Sequence, residues 1–190
     1  FQLIIYLSAF MNVEEIASEV SSSISLAKQI EPFSKRGLLL SLQEAYDVAG
    51  IVRQELGQTE IIGRKIGFTN RNIWNIYNVD QPIWGPITTN SISFFESNFL
   101  KIDVSQFCEP RIEPEIVVCL KQTPKDGSEN TEIYLDWIAP GFEIVDSIYP
   151  NWKFSLTDAI VSGGLHGCLA VGKKFKVSDR TERDLINVVV

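Results

Sequence analysis

The stretch EPRIEPEIVVCL, Glu109 to Leu120, sets Glu113 and Glu115 two residues apart among Ile112, Ile116, Val117 and Val118. Its β-branched content predicts a strand. In a strand, residues i and i+2 share a face, roughly 6–7 Å apart. Two ionised carboxylates at ~5 Å repel by roughly 3 kcal/mol when the effective dielectric is near 20. An apolar setting adds the cost of desolvating them. Any fold this chain adopts must therefore bring compensating charge to that strand.

Glu143, in APGFEIVDS, is a third acid with apolar neighbours. Three glutamates converging from two strands would form an anionic, oxygen-rich site, which is what Mg²⁺ or Mn²⁺ prefers. Zinc would call for more histidine or cysteine, and His166 is the only histidine. The same spacing also suits the solvated face of an edge strand, its acids paired with Arg111 or a lysine. Glu143 taken alone also suits a surface salt bridge. Lys65, in GRKIGFT, stands between Gly63 and Gly67 in an apolar strand. Flanking glycines let a ligand or backbone approach closely, and a partly buried lysine beside acids is able to orient a carboxylate or move a proton. A strand lysine snorkelling to solvent fits the same residues. His166 and Asp146 read as structural, Asp146 because it falls on the strand face opposite Glu143.

Along the chain, the spacing of Val13, Ile16, Ala17, Val20, Ile24 and Ala27 predicts a helix to about Ile30. A second helix is predicted over 41–57, with capping-box spacing between Ser41 and Glu44 and a C-terminal glycine at Gly57. From residue 61 onward the signals are β-like. Strands are predicted in EIIGRKIGFTN, PIWGPITTNSISFF, FLKIDVSQF, EPEIVVCL, WIAPGFEIVDSIY and LHGCLAVGKKFKV, with a polar loop rich in turn formers over 121–135. The class is α+β. The expected division is a helical region over 11–60 and a metal-binding, β-rich catalytic region over 61–190. FQLIIYLSAF, residues 1–10, is expected to be non-native or disordered, because Met11 opens a natural helix start. ERDLINVVV reads as a strand cut short, so the chain is expected to be incomplete at its C-terminus.

The 190 residues carry a net charge of −7 and no Lys/Arg cluster, which argues against a nucleic-acid partner. At ten residues, FQLIIYLSAF is too short to span a bilayer. Three cysteines, Cys108, Cys119 and Cys168, fit reduced thiols in a cytoplasmic protein better than a disulfide framework. The four tryptophans read as packing residues.

The segments GRKIGFTNRNIW, VDQPIWGPI, EPRIEPEIVV, GFEIVDS and DAIVSGGLHGCLAVG occur in this order. Together they resemble the 2-keto-4-pentenoate hydratase branch of the fumarylacetoacetate hydrolase superfamily, from about Pro32 to Gly172. The resemblance implies a mixed, mostly β sandwich or roll behind N-terminal helices. It implies Glu113, Glu115 and Glu143 as ligands of Mg²⁺ or Mn²⁺, with Lys65 and Asp80 as catalytic residues beside a bound 2-oxo acid. It implies weaker substrate contacts at Ser162, Gly163 and Gly164. It also implies a homo-oligomer that adds water to a 2-hydroxy-2,4-dienoate in aromatic-compound catabolism. A decarboxylase of a 2-oxo dienoate diacid, its second carboxylate held by Arg64 or Arg71, and a non-catalytic partner subunit are the alternatives. Arg64 and the loop GGLHG depart from the family pattern. The His–Glu dyad of the hydrolases has no visible counterpart in the sequence.

Overall fold

The computed structural model describes residues 11–97, 99–125, 127 and 132–177. The readings of residues 1–10 and of 182–190 fall outside them. Among the described residues the chain runs through two helices, α1 (Val13–Ser25) and α2 (Leu42–Glu55), and then a hairpin of β1 (Ile61–Gly67) and β2 (Ile83–Thr88). The short helix α3 (Trp74–Tyr77) sits in the connection between those two strands. There follow β3 (Ile92–Phe94), β4 (Pro110–Leu120), β5 (Leu135–Asp146), α4 (Leu156–Val161), β6 (His166–Val171) and β7 (Phe175–Lys176).

Both long helices begin as their sequences direct. Asn12 accepts from the Glu15 amide at 2.8 Å, and the Glu15 carboxylate accepts from the Asn12 amide at 3.0 Å. Ser41 and Glu44 form the second such box. Each closes two orphan donors of a first turn. The C-termini also share one device. Gly57 at φ +67 and Ala27 at φ +47 take the left-handed conformation, and the amides two residues after each C-cap return to carbonyls in the last turn, Gln58 to Arg53 and Lys28 to Ser23. α1 therefore stops at Ser25, five residues before the predicted end. The Ser23 hydroxyl reinforces that stop by donating to the Lys28 carbonyl, the competition with helix expected of serine.

β1 and β2 pair antiparallel as a two-stranded sheet. The larger sheet has the order β3-β6-β5-β4, with β7 also pairing with β5. β3 runs parallel to β6, and the remaining pairs are antiparallel, so the sheet is mixed. The segment FLKIDVSQF is not a strand. Asp103 accepts from the Ser105 amide at 2.9 Å and turns the chain there, and Phe99 is 80% exposed.

A principal core joins Ile16, Ala17 and Val20 of α1, Ala45, Val48 and Val52 of α2, and Ala159, Ile160 and Val161 of α4 to Val145 and Tyr149. A smaller cluster of Ile87, Ala139, Leu169 and Val171 lies between the hairpin and the sheet. The helices thus back one part of a sheet face, and the β1–β2 hairpin covers another part. Cys108, Cys119 and Cys168 are all free thiols. Among the described residues, no helix is long and apolar enough to cross a membrane.

Candidate metal centre

The paired strands β4 and β5 set the acids. Glu113 stands opposite Glu143 and Glu115 opposite Gly141, in continuous register from Pro110 to Cys119. Directly paired residues point to the same face, so the three carboxylates meet on one side of the sheet. Gly141 makes the room: a Cβ there would lie 2.7 Å from a Val117 methyl and 3.2 Å from the Ala170 carbonyl. One oxygen from each of Glu113, Glu115 and Glu143 lies within 4.8 Å of the others. β4 is an edge among the described strands and Glu113 is exposed, as the edge-strand reading held, yet its acids face Glu143 rather than open water.

Glu143 is 2% exposed and fully partnered. Its Oε2 lies 3.4 Å from Lys65 Nζ and its Oε1 lies 2.7 Å from His166 Nδ1. The other nitrogen of His166 lies 2.9 Å from the Ser91 hydroxyl. Ser91 in turn bonds the backbone of Thr88, at the end of β2. The tertiary structure thus pairs the only histidine with a glutamate after all. A register irregularity between Ile144 and Val145 brings His166 opposite Val145. In such a bulge the local pleat is broken and a side chain is re-aimed. Sequence spacing carries no sign of this His166–Ser91 support, because it joins residues 75 positions apart in the chain.

Lys65 reaches the site from the hairpin, where it pairs with Gly85. A Cβ on Gly85 would stand 2.3 Å from the Gly163 carbonyl oxygen and 3.4 Å from Lys65 Cγ. Gly163 and Gly164, both at φ +72, therefore lie hard against β2, across from Lys65. The Ser162 hydroxyl is buried and donates to the carbonyls of Ala159 and Asp158, turned toward its own helix. Asp80 is exposed in the connection that leads into β2, and no hydrogen bond or ion pair joins it to the acids among the described residues. Of the eight residues singled out from the sequence, the structure gathers Lys65, Glu113, Glu115 and Glu143. Asp146 has the structural role expected of it: its carboxylate accepts from the Cys108 and Glu109 amides and ties down the start of β4.

Burial pushes the Glu113 carboxyl above its usual range; Lys65 and Arg111 pull it down, and Glu143 pushes it further up. Burial likewise raises Glu115, with Glu143 and Glu113 adding to the rise and Lys65 opposing it. Three carboxylates and one ammonium leave a formal charge of −2, which a divalent cation neutralises. The donors are all oxygens, the set that hard cations take.

The raised carboxyls have a consequence for the metal-free protein. A group whose folded pKa lies above its unfolded value adds stability below the unfolded pKa and loses it as pH rises through the folded value. In chelator, Glu115→Gln is thus expected to melt above the parent at pH 7–8. That advantage should vanish near pH 4, and melting curves across this range check it.

No protein-family model matches the chain. It is 27% identical over 167 residues to 2-hydroxyhexa-2,4-dienoate hydratase of Comamonas testosteroni, covering 85% of this chain and 63% of that protein. It is 30% identical over 138 residues to a 4-oxalocrotonate decarboxylase of a Pseudomonas species, covering 70% of this chain and 52% of that one. The fold is shared with 4-oxalocrotonate decarboxylase from Pseudomonas putida G7, solved in complex with magnesium and adipate. That match has a TM-score of 0.76 at 22% identity, over 88% of this chain and 65% of the other. The chain thus spans under two thirds of the length of each of these three relatives.

Proposed function

We propose that the chain belongs to the 2-keto-4-pentenoate hydratase branch of the fumarylacetoacetate hydrolase superfamily, a reading supported by its likeness to curated dienoate hydratases, and that it is part of a hydro-lyase of aromatic-compound catabolism. The reaction adds water to a 2-hydroxy-2,4-dienoate and yields a 4-hydroxy-2-oxo acid. The observation that carries this reading is the convergence of Glu113, Glu115 and Glu143 within 4.8 Å beside Lys65.

Glu113, Glu115 and Glu143 would hold Mg²⁺ or Mn²⁺, which when bound supplies Lewis acidity toward the 2-oxygen and carboxylate of the substrate. Lys65 offers a fixed ammonium to the carboxylate or to the developing oxyanion. His166, anchored by Ser91, holds the Glu143 carboxylate in one orientation. In ketonisation the 2-hydroxyl loses its proton and C5 gains one. Water then adds across C3 and C4, its hydroxyl to C4 and its proton to C3. Asp80 is assigned to orient that water from the connection before β2. Ser162, Gly163 and Gly164 are assigned to the wall of the site. Loss of CO₂ from a 2-oxo dienoate diacid is the second reading, supported by the likeness to the decarboxylases. Exposed Ile112, Ile116 and Val118 on the outer side of β4 support a homo-oligomer, which we assign to the cytoplasm.

The test is incubation of the full-length protein and Mg²⁺ with 2-hydroxypenta-2,4-dienoate. The expected result is a falling ultraviolet absorbance with formation of 4-hydroxy-2-oxopentanoate. Release of CO₂ from the diacid instead selects the second reading, and no turnover with either metal or either substrate defeats the catalytic assignment.

A further inference from the structure

Where β4 begins, the molecule has a cavity of about 630 Å³ that is separate from the glutamate cluster: none of Lys65, Glu113, Glu115 and Glu143 lines it. Its charge is opposite to that of the chain as a whole. Lys35, Arg111 and Lys153 line it and no acid does, in a chain of net charge −7. Among the described residues no ion pair joins these cations to an acid. The acids beside them in sequence are committed elsewhere. Asp158, 2% exposed, accepts from Ser34 and Ser155, and Glu109 accepts from Gln29 and from the Asn151 amide.

The walls are built rather than incidental. The Arg111 guanidinium lies 4.0 Å from the centroid of the Trp152 ring, which fixes the plane of its fork. Trp152 packs into the principal core, so this platform is anchored, while Lys153 beside it is exposed. Asn151 and Trp152 take positive φ in succession, +58° and +56°. A bulky aromatic at such a φ is strained, and strain of this kind gathers at ligand sites. Tyr77 and Phe154 stack at 5.3 Å between centroids and form an aromatic wall, and Ile76, 75% exposed, adds aliphatic surface to the same lining.

Surplus positive charge thus meets flat apolar surface. One carboxylate would offset one of the three cations, whereas a phosphate group carries about −1.5 to −2 at neutral pH. Lysine serves phosphate as a point charge and arginine as a two-pronged donor. A bare inorganic anion would leave the aromatic wall uncovered, and the volume lies within the ~300–1,000 Å³ of small-molecule sites. We propose that this cavity is a second ligand site, independent of the metal centre, and that it takes a nucleoside diphosphate or a ligand of the same build. Arg111 and the two lysines hold the phosphates, and the base lies along the Tyr77–Phe154 wall. The lining holds no carboxylate, histidine or cysteine, so the ligand is bound rather than transformed and acts as an effector.

Calorimetric titration of the full-length protein in chelator with ADP, inorganic diphosphate and adenosine tests the inference. Without metal, the three carboxylates of the glutamate cluster repel a polyanion and do not compete for ADP. ADP is expected to bind once per chain, at least tenfold more tightly than diphosphate or adenosine. Lys153→Gln and Arg111→Gln should each weaken ADP at least tenfold, and Arg111→Lys should restore part of the loss. Lys153 is exposed, so Lys153→Gln should keep the parent's melting temperature and its affinity for adenosine. No binding of ADP by the parent protein overturns the proposal, as does diphosphate or adenosine binding as tightly as ADP. ADP affinity unchanged in both Gln variants overturns it too. Binding that needs Mg²⁺ and is lost in Glu143→Gln would put ADP at the glutamate cluster and overturn it as well. Failure of the metal reading alone leaves the expected result standing, because the two sites share no residue.

Discussion

Glu143→Gln is expected to weaken Mg²⁺ binding by more than ~100-fold and to remove metal-dependent turnover. Removing a partner that merely orients a metal ligand costs ~10–100-fold, and a ligand itself costs more. Gln fills nearly the same volume and keeps a hydrogen-bonding oxygen for His166 Nδ1, so the packing around Val145 and Leu169 is retained and the change is in charge. Three carboxylates against Lys65 become two, and the site loses the unit of negative charge that a divalent cation matches. The variant should therefore fold, with an unaltered circular dichroism spectrum and a melting temperature in chelator within a few degrees of the parent. Calorimetry with Mg²⁺ and the dienoate absorbance assay provide the measurement. Unchanged turnover with added Mg²⁺ would end the metal reading, however closely the sequence follows its relatives.

Asp158→Ala is expected to cost about 3–5 kcal/mol of stability, since breaking a buried charged network is among the few single changes that cost so much. The carboxylate is buried and binds the Ser155 amide at 2.8 Å, the Ser155 hydroxyl at 2.7 Å and the Ser34 hydroxyl at 2.5 Å. It closes the capping box of α4 and fastens that helix to the connection after α1. The carbonyl of the same residue accepts from the Tyr149 hydroxyl at 2.9 Å. Burial holds that phenol well above its usual range, and the Tyr149 bond persists in the alanine variant because it uses the backbone. The loss is thus confined to the side-chain bonds. Urea unfolding monitored by circular dichroism checks it: a cost below ~1 kcal/mol would show that water replaces the carboxylate without penalty. Asp158→Asn, which keeps one acceptor oxygen, should fall between the parent and alanine.

The two helix starts were legible because capping is a local matter. Asn12 with Glu15 and Ser41 with Glu44 each need only three residues of chain. The end of α1 was misread because period alone says nothing of Ser23 bonding the Lys28 carbonyl or of Ala27 turning left-handed. The strand predicted at FLKIDVSQF failed for a similar reason: its alternation was real, but the side chain of Asp103 competed for the backbone.

For the site, the chemistry of the donors can be read from the residues alone. A pair of glutamates two apart in a strand must share a face, and in an apolar strand they require positive charge to offset them. What stands opposite them is set by the fold. The β4–β5 register sets Glu143 against Glu113, the β5–β6 irregularity turns His166 onto Glu143, and the close approach of Gly85 to Gly163 leaves Lys65 aimed at the acids. Pleat and spacing are properties of one strand and can be read along it. Register, bulge and the packing of one sheet on another are set by the burial of many distant side chains at once, and no single segment records them.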